Sequence, residues 1–263
     1  MEVHHHPQLH HERKPWKEYL LEGLMIFLAV TMGFFAESLR EHITESNNAL
    51  ELARNFYTEL KQDSITIRAV QQRRAKRDLS LTYLRKYFRD SSVTNSSKAF
   101  GVNFLYGFEV YSPYIFEPKD GILNQLKNSG SLRFFKSMEV QRLTGDLSVA
   151  ITNIRTRNSL ESNYMDSQLI PFLIKHNDMI FFDNVKSNFN LSLFDDLARY
   201  EKSKAIFPFH FNKPEEFDKI ESVNMVGSYQ MICKGASTHQ YTDYQILNAQ
   251  LLKELRKEYG LVQ

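Results

Sequence analysis

The sequence predicts an all-α protein. An N-terminal transmembrane helix continues into an extracytoplasmic bundle of about four long helices, which carries an aromatic-rich irregular insertion. Three observations predict this. From Leu20 to Ala36 the chain reads "LLEGLMIFLAVTMGFFA", with Glu22 as its only charge. From Glu37 to Phe100 there is no Pro or Gly, and apolar residues recur at helical spacing. Over the whole chain, 10 Gly and 7 Pro stand against 20 Phe and 13 Tyr; few breakers and much apolar bulk favour long helices with a packed core.

The apolar stretch is about 17 residues, roughly 25 Å of helix, slightly under a hydrocarbon core of about 30 Å. Trp16 and Tyr19 flank one end, and Phe34 and Phe35 the other, as aromatics do at the two membrane interfaces. Glu22 lies near one end, where an acid reaches the headgroups. A cleaved signal peptide would have a short basic start and a small-x-small cleavage site. Here a longer polar segment precedes the run, and Phe34 stands where the second small residue should be. The expected division is a His-rich cytoplasmic tail over residues 1–18, an anchor over 19–37 and an extracytoplasmic helical domain over 38–263. Membrane lipid is the partner expected of residues 20–36. Arg13, Lys14 and Lys17 before the anchor, against Glu37, Arg40, Glu41 and Glu45 after it, give a weak Lys/Arg bias of the N-terminus to the cytoplasmic side. Ala29 and Gly33 stand four apart, a spacing that lets two anchors approach. A separate protein or a second copy of the chain is the protein partner expected.

Beyond the anchor, Leu39, Ile43, Leu50, Ala53, Tyr57, Leu60 and Ile67 form one stripe, which Leu81, Leu84 and Phe88 resume. The first long helix therefore ends near Asp90, before the polar loop "SSVTNSS". Residues 99–121, "AFGVNFLYGFEVYSPYIFEPKDG", are punctuated by Gly101, Gly107, Pro113 and Pro118 and lack a two-residue hairpin turn. An irregular segment laid over the bundle is expected there. "DGILNQLKNSG" reads as a short helix, with Asp120 capping its start and Gly130 its left-handed stop. Leu132, Phe135, Leu143, Leu147, Ala150 and Ile154 mark one face of a second long helix, which Pro171 should kink or end. Residues 177–217 read as loops with short helices, one around Leu193. "KPEEF" suits a helix start at Pro214. The last helix has capping-box spacing at Thr242 and Gln245, a stripe of Tyr244, Leu247, Leu251, Leu255 and Tyr259, and Gly260 as its stop.

Chemistry is thinly marked. A formal net charge of +2 gives no global field for nucleic acid, and none is expected as a partner. Cys233 is the only cysteine, which excludes an intrachain disulfide and a Cys-based zinc site. There is no phosphate-binding glycine loop, no H-E-x-x-H and no nucleophile elbow, so the chain reads as non-enzymatic and without a cofactor. Three groups of residues are candidates. His4, His5, His6, His10 and His11 offer imidazoles to a metal, although no scaffold imposes geometry on them. Arg68, Arg73, Arg74 and Arg77 belong to a basic strip able to meet an anionic partner, or simply to be solvated. Phe104, Tyr106, Phe108 and Tyr111 can line an apolar ligand pocket, although aromatics at this density more often form core.

Two stretches carry a resemblance. "MEVHHHP…KPWKEYLLEGLMIFLAVTMGFFAESLREHI" resembles the N-terminal signature "EYxLExLMIFLAVTxGFFAE" of an uncharacterised family of bacterial single-anchor membrane proteins with a His-rich start. "ILNQLKNSGSLRFFKS" is similar, more loosely, to a helix–turn–helix segment of bacterial domains of unknown function. The resemblance implies a bacterial inner-membrane protein, single-pass, with the bulk of the chain periplasmic, and brings no catalytic residue. The expected function is an interaction, sensor or scaffold component of the envelope; the alternative is a small-ligand domain built on residues 100–116.

Overall fold

A computed structural model describes residues 15–94, 96–108, 114–186 and 192–261. Every regular element among them is helical. The chain divides into two compact units, Met1–Glu51 and Leu52–Gln263.

In the first unit the described residues form the N-terminal part of α1 (Trp16–Asp90). Among the described residues, this is the one helix long and apolar enough to cross a membrane; its most apolar window has a mean hydropathy of 1.9 and none of it is buried. Thr31, inside the window, donates its hydroxyl to the Phe27 carbonyl at 2.7 Å, so this hydroxyl is satisfied within the helix. Leu39 and Ile43, which open the apolar stripe, are exposed.

The second unit holds the rest of α1 with α2 (Lys98–Phe108), α3 (Gly121–Asn128), α4 (Met138–Tyr164), α5 (Ile170–His176), α6 (Met179–Val185), α7 (Leu193–Lys202), α8 (Lys219–Gly235) and α9 (Tyr241–Tyr259). Two π-turns, Met165–Leu169 and Ala236–Gln240, run α4 into α5 and α8 into α9 without a break. Among the described residues the unit thus has three long helical runs where about four were expected. The stripe on α1 is buried here at Ala53, Tyr57, Leu60, Ile67, Leu81, Leu84 and Phe88, as are Leu143, Leu147 and Ile154 on α4 and Tyr244, Leu251 and Leu255 on α9.

The structure corrects several local expectations. The first half of the aromatic segment is not irregular: it is α2, and nearly all of it is core. Its glycines are close-approach positions rather than breaks. A Cβ on Gly101 would lie 2.6 Å from Phe181 Cζ, and one on Gly107 would lie 2.8 Å from Leu84 Cδ1. Asp120 does not cap α3 with its side chain; Arg155 Nη1 takes its carboxylate at 2.7 Å. Thr242 is not a cap either, because α9 continues from the π-turn, and its hydroxyl donates five residues back to the Ser237 carbonyl. Pro171 falls in the first turn of α5, just after a π-turn, and the helical run does not stop there but continues to His176. Pro214–Glu216 is a separate 3-10 turn, and Asp218 caps α8 by accepting from Glu221 N at 2.8 Å. Gly130 and Gly260 do take left-handed φ, 69° and 60°.

Candidate functional site

Three polar features sit inside the second unit. The first is a buried ion cluster. Glu161, one turn before the first π-turn, faces Arg74 and Arg77 of α1; the three side chains are 0%, 3% and 1% exposed. Arg74 grips the carboxylate with both terminal nitrogens, Nη2–Oε2 at 2.8 Å and Nη1–Oε1 at 3.2 Å. It also donates to the carbonyls of Tyr114 and Cys233 and, through Nε, to Ser237 Oγ. Those five bonds account for all five N–H groups of a guanidinium. Arg77 Nη2 lies 3.0 Å from Glu161, and its Nη1 donates to Tyr229 OH at 3.0 Å. Burial by itself would raise the Glu161 pKa, but the facing Arg77 and Arg74 outweigh it and hold the carboxyl below its usual range. Burial pushes the neighbouring Cys233 thiol up to about 12, so it is an inert thiol at neutral pH. A cavity of about 190 Å³ adjoins the cluster between α1 and α8. Since Arg74 is saturated, the cluster acts as a clasp between α1, α4 and the α8–α9 run.

The second feature is a groove of about 860 Å³ between the α4–α5 run and the first half of α8. Chain geometry places its floor. Asp178 caps α6 by accepting from Phe181 N, and its other oxygen accepts from His210 N at 2.7 Å. This docks the non-helical segment 203–213 against the end of α5. Asn212 then meets His176: its carbonyl lies 2.8 Å from Nδ1, and its N–H donates back to the His176 carbonyl at 3.3 Å. The imidazole is 3% exposed and stacks on Phe211 at 4.7 Å. Burial, chiefly, lowers its pKa below the ordinary 6.5, so the ring is neutral at neutral pH. Ser222, 4% exposed, joins it in lining the groove. At the rim Lys175 Nζ pairs with Glu216 at 2.8 Å.

A third polar knot lies between α1 and α9. Asp63, 1% exposed, accepts from Tyr244 OH at 2.6 Å and from Lys119 N at 3.0 Å. Burial nonetheless raises its pKa, and raises that of nearby Glu59. These groups tie the 114–120 segment to α1.

The sites expected from sequence distribute differently. His4, His5, His6, His10, His11 and Tyr111 lie outside the described residues. The basic strip is split: Arg74 and Arg77 turn into the core, which corrects their reading as a partner-facing surface. Arg73 lies over the rings of Tyr114 and Phe194, and only Arg68 is exposed, with Nε on the Ser64 carbonyl. The reason is Glu161, 87 positions away, which supplies the counter-charge no local reading of α1 contains. Phe104 and Phe108 are fully buried with their rings 4.9 Å apart, and Phe104 meets Phe209 at 5.0 Å; Tyr106 packs on Phe194. The described rings thus fill one another's space. Sequence reasoning missed His176, Ser222 and Glu161. For His176 one signal was available: an imidazole in the last turn of a short helix, followed by an Asn-Asp cap. Comparison with known protein families, curated proteins and solved structures finds no match to this chain.

Proposed function

We propose that the chain is a single-pass membrane-anchored helical protein that acts by binding rather than by catalysis, as an interaction, sensor or scaffold component of the bacterial envelope. One observation carries the reading: the most apolar window of α1 is wholly unburied, while the same helix enters a folded unit from Leu52 onward. A core helix of that hydropathy would be covered by its own chain. The N-terminal Lys and Arg residues favour a cytoplasmic tail and a periplasmic helical unit. Within that unit the buried charges of the cluster serve one another, and the groove beside α8 is a polar concavity open to a visitor. The ligand alternative therefore moves from residues 100–116 to this groove.

The test is in-cell photo-crosslinking from Asn224, an exposed groove residue, with Arg68 as a surface control away from it. One defined envelope component trapped from Asn224 and not from Arg68 supports the reading. In parallel, an introduced cysteine at Asn224 should react with a membrane-impermeant maleimide in intact spheroplasts. Labelling only after lysis would overturn the periplasmic placement, and trapping nothing at either position would overturn the interaction role.

A further inference from the structure

Two faces of α1 behave differently where its apolar run ends at Ala36. A helix face that meets lipid and then water has to change character at that point. One face does so. Phe27 and Phe34 lie on it inside the run, and Glu41 and Asn48 continue the same line at intervals of seven. The opposite face does not change. Met25, Ala29, Met32, Ala36, Leu39 and Ile43 follow one another in alternating steps of four and three, so the stripe stays apolar for about two turns past the end of the run. Glu22 and Ser46 bound it. Leu39 is 63% and Ile43 55% exposed, with Glu37, Glu41 and Glu45 on the same turns. Lipid covers such a stripe as far as Ala36. Beyond it, where the acids stand in water, covering it takes protein.

Size and charge say which protein. Inside the run Ala29 and Ala36 alternate with Met25 and Met32, and small residues let two helix backbones approach in lipid. The bulk of Phe27 and Phe34 is on the far side. Outside the run no acid borders the stripe. The flanking positions hold Arg40, His42 and Asn47, while Glu37, Glu41 and Glu45 fall on the outer face. Arg40 is already held by Glu37 of its own helix, Nη2–Oε1 at 2.6 Å. Two copies inserted in one membrane run parallel and in register, so each residue of the stripe meets its own counterpart, as a two-fold interface requires. His42 of one copy then faces Asn47 of the other, Arg40 faces Phe35, and no like charges oppose each other.

We infer that α1 pairs with α1 of a second copy of this chain along the stripe from Met25 to Ile43, as a parallel two-helix seam that begins in the bilayer and ends outside it. The inference rests on the reading of the chain as a membrane-anchored interaction protein and names the partner of its first helix. The seam is about 27 Å long. Its water-facing part has only the Leu39 and Ile43 layers and is too short to hold two helices by itself. The lipid-facing part supplies the close approach, and the two outer layers fix which faces meet. A stripe repeating every seven residues gives a left-handed crossing of about 20°.

Cysteine crosslinking of the full chain in native membranes tests this. Leu39→Cys, Ile43→Cys, Glu41→Cys and Asn48→Cys are made one at a time, and the parent chain, whose Cys233 is buried, gives the background. Thiols are oxidised with copper phenanthroline and dimer is read on non-reducing gels. Leu39→Cys and Ile43→Cys should give at least about tenfold more disulfide-linked dimer than the other two, whose Cβ atoms sit on the far sides of the pair and beyond disulfide reach. Leu39→Glu combined with Ile43→Glu, both at exposed positions, should raise the dimer dissociation constant in detergent micelles at least about tenfold by sedimentation equilibrium, with urea unfolding of the helical unit unchanged. Equal yields at all four cysteines, no dimer at Leu39 and Ile43, a monomeric parent chain in micelles, or a photo-reactive residue at Leu39 that traps only a different protein would each overturn the inference. These failures are separable from failure of the underlying reading. Anchoring is read by carbonate extraction of the same variants, and the interaction role of the helical unit by the Asn224 crosslink.

Discussion

Replacing Glu161 by Gln leaves two guanidiniums in a space with almost no water and no counter-charge. We expect Glu161→Gln to destabilise the helical unit by about 3–5 kcal/mol, read by urea unfolding followed by circular dichroism. Exchanging all three side chains for apolar ones, Arg74→Met, Arg77→Met and Glu161→Leu, should recover about 2 kcal/mol of that loss, since a buried charge without its partner costs more than no charge at all. Recovery is incomplete because Arg74 also satisfies the Tyr114 and Cys233 carbonyls. The buried acids differ in sign with pH. Glu161 has a lowered folded pKa, so its contribution is fully present above the ordinary carboxylate value of 4.5 and is lost as pH falls through the folded value. His176 is also lowered, and stability drains away as pH falls below 6.5, where the unfolded chain takes up a proton that the fold refuses. Asp63 is raised by burial, so its neutral form suits the fold and stability declines as pH rises from 3.8 through the raised value. Asp63→Asn still accepts from Tyr244 and Lys119. It should stabilise the protein by about 1 kcal/mol at neutral pH and be neutral or unfavourable in acid; equal effects at both ends of a pH series would refute the burial account.

At the scale of elements, the two π-turns decide which faces of α5 and α9 meet the rest of the unit. Each inserts an extra residue into the α ladder, and in an ordinary helix one residue turns the following face by about 100°. Deleting His239, an exposed residue of the second π-turn, should let α8 and α9 merge into regular helix and rotate Tyr244, Leu251 and Leu255 out of the core. Helix content by circular dichroism should stay nearly constant while cooperative unfolding is lost. Ser237 and the Cys233 carbonyl, both held by Arg74, lie at the same bend, so the deletion and Glu161→Gln are expected to be non-additive.

For the whole molecule, the membrane anchoring proposed above and the folding of the helical unit fall to different residues. The apolar window of α1 belongs to one unit and the packed core to the other. A chain lacking residues 16–36 should therefore leave the membrane pellet on alkaline carbonate extraction, whereas the full chain stays. The shortened chain should unfold within about 0.5 kcal/mol of the full one, as expected for sites without shared partners. Loss of cooperative unfolding on that deletion would show that the two units depend on each other.

All-helical character, the apolar anchor-like stretch, the α1 stripe from Ala53 to Phe88, the stop at Gly260 and the left-handed Gly130 were legible in the amino-acid order. Each depends on spacing or on one residue's backbone preference, and both are local. The aromatic segment was misread because Gly101 and Gly107 answer to Phe181 and Leu84, neighbours that only folding supplies. The π-turns were invisible for a related reason: no local pattern announces an extra residue that tertiary packing demands. The candidate site was the least legible part. Arg74 and Arg77 look like surface charge until Glu161 closes on them, and His176 looks like a stray helix-end imidazole until Asn212, 36 positions on, takes its Nδ1 and fixes the ring beside a groove. Periodicity and composition determined which segments are helices and which of them is apolar enough to cross a membrane. Only the tertiary structure decided which charges are buried, which are paired and which polar atoms remain open, because those are properties of pairs far apart in the chain.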